Sequence, residues 1–313
     1  MSLGAYAFEG VDASLLREVH TTFKGLLFGS LGQNPRWSQR KVQLAEDLNV
    51  TGSTAKVKMA SVAYGVHEWL DERHKSKIEH ADHEIEVKRW ANAISLKLDD
   101  LDDESANLSQ YRTLIKEMAD DFDEHKHKLF VDLINNGFTG AIGVAYDGQF
   151  FFDTDHPIPG GTQSNKGTAA FDDGGVALYD AIKAMEALKK PNGLHANIMP
   201  THGIFPSALR AKVEKVLKSD FFVDGNGTKS NLMKNRIEPI FDPRLDAVSE
   251  TAWYLLDADK MRKPFFQAKR KEVTPQMDMS DAFEKGVAHW GSYGRYNASY
   301  GFYQVMWGST GAG

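Results

Sequence analysis

One apolar stripe constrains this chain more than any other feature of its sequence. Leu108, Tyr111, Ile115, Met118, Phe122, His125, Leu129 and Leu133 recur at steps of three and four until Gly137 breaks the run. That spacing predicts a single helix roughly 45 Å long, a strut rather than a packing element of an ordinary small domain. The stripe falls short of four heptads and contains a histidine, so it suits a coiled coil less well. Just before it stands Asp99-Asp100-Leu101-Asp102-Asp103-Glu104, negative charge that suits the positive end of a helix dipole.

A strut needs elements to brace. Upstream, Val57 and Met59 alternate with Lys56 and Lys58 as in a half-solvated strand, and strand pattern resumes at Glu84-Ile85-Glu86-Val87. Between them, ten of the fourteen residues from 67 to 80 are charged or histidine, which predicts an exposed tip. The apolar positions then shift from odd to even numbers at Lys88 and Arg89, through Ile94, Leu96 and Leu98, and a bulge or twist accounts for the shift. Residues 53–98 thus read as one long hairpin, and residues 1–52 as an arm with a short helix near Leu15–Phe23. Downstream the texture is mixed α and β. A helix is expected over 175–189, a strand at Ala196–Met199, and a helix opened by Pro206 that buries Leu209, Val213, Val216 and Leu217. Strands are expected at 252–256 and 264–268, and the aromatic-rich end, with rings on both alternating faces, calls for cover on both sides.

Charge and composition remove several function classes. Lys and Arg number 37 against 43 Asp and Glu, a net charge of −6, which argues against a surface built to coat nucleic acid. There is no cysteine, so disulfides, thiolate metal sites and cysteine nucleophiles are absent. No apolar run reaches the roughly 18 residues of a membrane span, and the first residues lack a secretory pattern, so a cytoplasmic protein without membrane contact is expected.

The sharpest catalytic candidate is Phe150-Phe151-Phe152-Asp153-Thr154-Asp155. An apolar run before Asp-x-Asp resembles the nucleophile motif of magnesium-dependent phosphatases of the haloacid-dehalogenase type, in which paired carboxylates act as nucleophile and general acid. Pro157 stands where that motif wants Thr or Val, and a turn in which both carboxylates cap backbone amides fits better. His80 and His83, with Glu84 and His74, lack the order of zinc-binding helices. His125 and His127, two apart on a helix, face different ways. Asp224-Gly225-Asn226-Gly227-Thr228 starts like a calcium loop but has Asn235 at the twelfth position, so a flexible turn is expected. Gly161–Thr168 has its Lys and Gly in the wrong order for a P-loop, and no GxSxG elbow occurs.

Read together, Tyr146-Asp147-Gly148-Gln149-Phe150-Phe151-Phe152-Asp153-Thr154-Asp155-His156-Pro157 and the following Ile-Pro-Gly-Gly resemble the signature segment of Mu-type bacteriophage major head proteins. The surrounding text agrees in order: RWANAISLKLDDLDDE, Ile240-Phe241-Asp242-Pro243, WYLLDAD, KPFFQAKRK and GRYNASYGFYQ. The resemblance implies an α+β Hong Kong 97 capsid fold and a shell-forming protein with no catalytic residues, cofactor or metal. It divides the chain into an N-terminal arm (1–52), an E-loop hairpin (53–98) and a peripheral domain with a spine helix (99–145). An axial domain (146–250) and strands returning to the peripheral domain (251–313) complete it. Tyr146, Asp147, Gly148, Phe152, Asp153, Asp155, His156 and Pro157 would be architectural. Arg73, Lys75 and Lys77 at the hairpin tip, and Gly225 and Gly227 in an axial loop over 221–235, would meet neighbours. The implied partners are further copies in hexamers and pentamers, a scaffolding protein, a portal, and packaged double-stranded DNA held without sequence preference. The implied location is the virion, after assembly in the host cytoplasm. An encapsulin-like cargo shell is the alternative of the same fold.

Overall fold

The computed structural model describes residues 13–33, 43–62, 78–98, 106–158, 160–190, 193–224 and 227–312. The hairpin tip with Arg73, Lys75 and Lys77, the acidic run 99–104 and Gly225 lie outside them.

Within the N-terminal stretch the helix is longer than the short one expected near Leu15–Phe23. Helix α1 (Ala13–Ser30) runs on through Gly25 and Gly29, each costing about 1 kcal/mol in a helix interior. Phe23 and Leu27, one turn apart, are buried with Ile115, Met118, Ala119 and Phe122, and burial of two such side chains contributes ~3 kcal/mol or more. Packing therefore overrides propensity. The backbone N–H of Gly32 donates to the buried carboxylate of Asp123 at 2.6 Å, tying the helix end to the strut.

The strand order resolves the phase shift at Lys88. β1 (Ala45–Asn49) is followed by β2 (Thr54–Val62) and β3 (Ile78–Glu86), which pair antiparallel as a ribbon of nine residue pairs. β4 (Lys88–Lys97) leaves this ribbon. The odd-to-even shift marks a change of sheet at Val87, not a bulge within one hairpin strand, because each side of the break buries its apolar residues in a different core. Ile85 and Val87 pack with Phe266 and Ala268, whereas Leu96 and Leu98 join the cluster under α1.

Helix α2 (Ala106–Asn136) is the predicted strut, 31 residues and ~46 Å long. It ends where Gly137 stands, although not through a left-handed cap: a Cβ there would lie 2.6 Å from the Phe152 ring, so the glycine admits that ring to the helix end. The chain then passes through three short strands, β5 (His156–Ile158), β6 (Gly161–Gln163) and β7 (Lys166–Gly167), to helix α3 (Val176–Glu186). The strand expected at Ala196–Met199 begins later, as β8 (His202–Phe205), because Asn197 adopts a left-handed conformation (φ 54°) and Pro200 follows. After it, Ser207–Leu209 forms a 3₁₀ turn leading into α4 (Arg210–Lys218), and Leu209, Val213, Val216 and Leu217 are buried as the spacing required.

Residues 221–235 are not simply a flexible loop. β9 (Phe221–Asp224) and β10 (Gly227–Ser230) pair antiparallel as a hairpin whose second strand starts at Gly227, and Gly225 and Asn226 between them lie outside the described residues. A Gly-Asn pair between strands is a tight-turn signal. β11 (Glu238–Phe241), the one-turn helix α5 (Pro243–Asp246), β12 (Trp253–Leu256), β13 (Phe265–Asp278), β14 (Val287–Tyr300) and β15 (Met306–Ser309) complete the chain.

These strands divide between two main sheets. One has the order β1-β13-β14-β4, with β1 parallel to β13 and the other pairs antiparallel. The other has the order β11-β8-β12-β15-β7. The stretch 251–313, which the resemblance groups with the strut, divides its strands: β13 and β14 join β4, whereas β12 and β15 join β8 under α3 and α4. Trp253, Leu255 and Trp307 supply the face that buries Leu178, Ile182, Met185 and Val213. Helix α2 covers one face of the first sheet and runs antiparallel to β4, with His125 against Trp90 (4.1 Å between rings) and the Met118 carbonyl accepting from Asn92 Nδ2 at 3.0 Å. Ala288, Trp290, Ser292 and Tyr296 point to that side and are buried. Tyr293 and Arg295, on the opposite face, are only partly covered, so β14 is not sandwiched along its length.

Candidate functional site

The signature segment is built as a joint between the two sheets. Leaving α2, it turns at Ala145–Gln149, where Gln149 O accepts from Ala145 N (2.8 Å) and Gly148 takes φ 83°, a conformation that favours glycine. Phe151 and Phe152 then plunge into the core, both fully buried. Phe151 stacks on Tyr300 of the first sheet at 4.9 Å, and Phe152 packs on Tyr254 of the second at 5.3 Å. The Phe152 N–H donates to Gly137 O at 2.9 Å, locking the joint to the end of the strut.

A buried polar node holds this joint closed. The amide Nδ2 of Asn165 faces three carbonyls, those of Phe151 (2.8 Å), Tyr303 (3.3 Å) and Met306 (3.2 Å), which fixes its Oδ1 as an acceptor. That oxygen accepts from Asp153 N and from His156 Nε2, both at 3.0 Å. With Nε2 donating, the other ring nitrogen of His156 lies 2.6 Å from Asp147 Oδ2, one proton between them. The His156 ring stacks on Tyr303 at 3.6 Å, nearly parallel. Gln163 Nε2 donates to the Tyr303 hydroxyl at 2.9 Å, and Gln304 Nε2 to the Tyr146 hydroxyl at 2.8 Å. Asn165 and His156 are fully buried.

Of the residues singled out in the signature segment, each has a defined place. Tyr146, Asp147, Gly148, Phe152 and His156 belong to the joint. Asp153 caps backbone amides, those of Thr154 (2.8 Å) and Phe150 (3.3 Å). Asp155 does not: it is exposed and caps nothing among the described residues, so the two carboxylates do not act as a pair. Pro157 sits in β5 opposite Thr162. His83 donates to or accepts from Ser299 Oγ at 2.8 Å, and among the described residues no three His, Asp or Glu side chains group as metal ligands. Asn165 and Tyr303 escaped the sequence reading. Asn165 lies within Gly161–Thr168, where nothing local announces a buried amide.

A second node clamps the strut. His127 Nε2 pairs with Asp242 Oδ2, both buried, while Asp242 Oδ1 caps α5 by accepting from Arg244 N at 3.0 Å, and Arg244 pairs with Glu124. His125, two residues away, meets the Tyr296 hydroxyl at 3.0 Å instead. The Asp242-Pro243 dipeptide is an N-cap followed by proline at the first helical position, a signal visible in sequence.

Tyrosines line these joints, and burial shifts their ionisation. Desolvation raises Tyr146, Tyr254, Tyr296 and Tyr300 well above the ordinary phenol range and pushes Tyr303 up to about 12. The folded chain favours neutral phenols, so their contribution to stability is complete below the unfolded value of ~10 and is lost as pH rises through the folded values. Phenolate absorbance should therefore show five of the ten tyrosines ionising late and together with alkaline unfolding. Ten ordinary titrations while the fold persists would contradict the packing.

No helix among the described residues is long and apolar enough to cross a membrane. The family model for the Mu-like prophage major head subunit gpT matches residues 42–179, 175–245 and 244–312. The Mu-like prophage FluMu major head subunit of Haemophilus influenzae is 27% identical over 245 residues, covering 77% of this chain and 56% of that protein, so the match spans little more than half of that relative's length. The major capsid protein of Escherichia phage Mu is 23% identical over 247 residues, 55% of this chain and 79% of that protein. Among solved structures, the procapsid subunit of bacteriophage JBD30 superposes with a TM-score of 0.56 at 20% identity, over 96% of this chain and 76% of that one. With its two sheets, strut helix and projecting ribbon in the Hong Kong 97 capsid arrangement, the chain belongs to the Mu-like prophage major head subunit family.

Proposed function

We propose that this chain is the shell subunit of a phage or prophage head, assembling as hexamers and pentamers around double-stranded DNA with a scaffolding protein and a portal. The observation that carries the reading is the β2–β3 ribbon. A two-stranded ribbon is marginal alone in water, and the described side chains through which it packs on its own sheet are Ala55, Met59 and Ile85, with Val87 just beyond. Its outer part needs a neighbouring copy to lie on.

On this reading the ribbon and its tip are the E-loop, and α1 belongs to an arm that folds back on its own strut. The first sheet with α2 is the peripheral domain, and the second sheet with α3, α4 and the β9–β10 hairpin is the axial domain. The exposed Phe221, at the start of that hairpin, and Leu232 just after it are apolar groups suited to subunit contact. A cargo shell would share this fold, and the family match over residues 42–312 favours the head.

Sedimentation of the full chain tests the proposal. Species many times heavier than 34.9 kDa are expected. Small oligomers that hydrolyse a generic phosphate ester with magnesium, and lose that activity on Asp153→Asn, would replace the shell with the phosphatase.

A further inference from the structure

The outer face of the first sheet, opposite the strut, carries four cations in one place. Arg89 of β4 stands directly across from Arg295 of β14, and Arg295 across from Lys271 of β13. The β13–β14 register slips on both sides of Lys271, and such irregularities re-aim side chains. Arg270, in the first of these slips, comes close enough for its charge to act on Arg295. Lys271 bonds the Tyr293 hydroxyl and sits 4.2 Å over that ring. Desolvation and the charges of Arg270 and Arg89 hold Arg295 below the ordinary arginine range, and its Nε is buried without a hydrogen-bond partner among the described residues.

Other basic groups nearby are satisfied within the chain. Lys269 pairs with Asp47 and Glu272, Lys263 donates to the Ala258 carbonyl at 2.6 Å, and Arg262 lies over the Phe302 ring. Among the described residues, Arg89, Arg270, Lys271 and Arg295 form no ion pair with a carboxylate. Four like charges gathered without a counter-charge cost stability unless an anion completes the site.

Charge complementarity selects the occupant. The most concentrated negative segment of the sequence is Asp99–Glu104, five carboxylates in six residues. It cannot serve its own chain. It begins immediately after Leu98, nine residues along β4 from Arg89, a separation of ~30 Å. Because α2 runs back along β4, the other tether at Ala106 lies at the same end, and the seven residues between Leu98 and Ala106, whatever their course, reach out only ~15 Å. Duplex DNA fits less well, since a compact cluster on a chain of net charge −6 offers no stripe that follows a phosphate backbone. We infer that Arg89, Arg270, Lys271 and Arg295 form a socket for the acidic segment Asp99–Glu104 of a second copy of this chain, a subunit contact that deepens the shell reading and rests on it.

Charge exchange in the full chain tests the socket. One variant carries Arg89→Glu and Arg295→Glu, the other Asp99→Lys, Asp100→Lys and Asp102→Lys. Each alone should assemble at least tenfold less well than the parent at low salt, and a one-to-one mixture should recover assembly. If charge reversal unfolds the chain, Arg89→Gln with Arg295→Gln is read instead, with the same tenfold loss expected. Normal assembly of a folded reversed or neutralised variant overturns the socket while leaving the shell reading intact. Loss of duplex-DNA retention without loss of assembly also overturns it and assigns the patch to DNA. Failure of the unmodified chain to assemble overturns the shell reading, and the socket with it.

Discussion

Replacing Asn165 with Ala should abolish the stable folded subunit. The two amide hydrogens of the side chain are shared among the carbonyls of Phe151, Tyr303 and Met306, and its oxygen accepts from the amide of Asp153 and the ring of His156, with Asn165 and His156 fully buried. Each buried group left unpaired costs about 1–3 kcal/mol, and the loss of all these bonds at once rivals the 5–15 kcal/mol or so that holds an ordinary domain together. Asp147→Asn is the graded control. The introduced amide N–H can donate to Nδ1 of a neutral His156 while Nε2 still donates to Asn165, so a hydrogen bond persists and the charge assistance is lost, ~1–2 kcal/mol. Asp155→Asn should melt with the parent because that side chain is exposed and caps nothing among the described residues. Thermal melts of the three variants check the order, and an Asn165→Ala chain that melts within a few degrees of the parent would show that the joint does not depend on the node.

Removing residues 63–77, with a short linker joining Val62 to Ile78, should leave a folded subunit that no longer closes shells. The cut spares the paired strands on either side and, among the described residues, every core cluster, to which the ribbon contributes Ala55, Met59 and Ile85. Circular dichroism and the melt should therefore change little, while assembly falls by orders of magnitude because each subunit loses its overlap with the next. Normal shells from this variant would mean that the tip contributes nothing to lattice contacts.

The strut, the α4 helix and the alternation around Met59 and Ile85 were legible because each buries one face, and burial on one face writes a period into the sequence. The exchange of strands between sheets was not. The shift at Lys88 looks the same whether a strand bulges or changes sheet, and only the partners of Leu96 and Phe266 distinguish the two. Likewise Trp253–Leu256 and Phe265–Ala268 read alike as buried strands, although β12 pairs with β8 and β13 with β1. The signature segment was found by resemblance, and its Asp-x-Asp suggested two equivalent caps. Their difference is set by the fold, which turns Asp153 toward its own backbone and leaves Asp155 in solvent. The node around Asn165 was invisible because its five partners come from residues 151–156 and 303–306, far apart in the chain.

Electron micrographs of the purified 313-residue chain test the shell directly. A head subunit gives closed particles, or rings of six and five copies, and these should persist under denaturant-free conditions without any disulfide, since the sequence has no cysteine. A field of dispersed single subunits across a wide series of protein concentrations, with the fold verified by its melt, would contradict it.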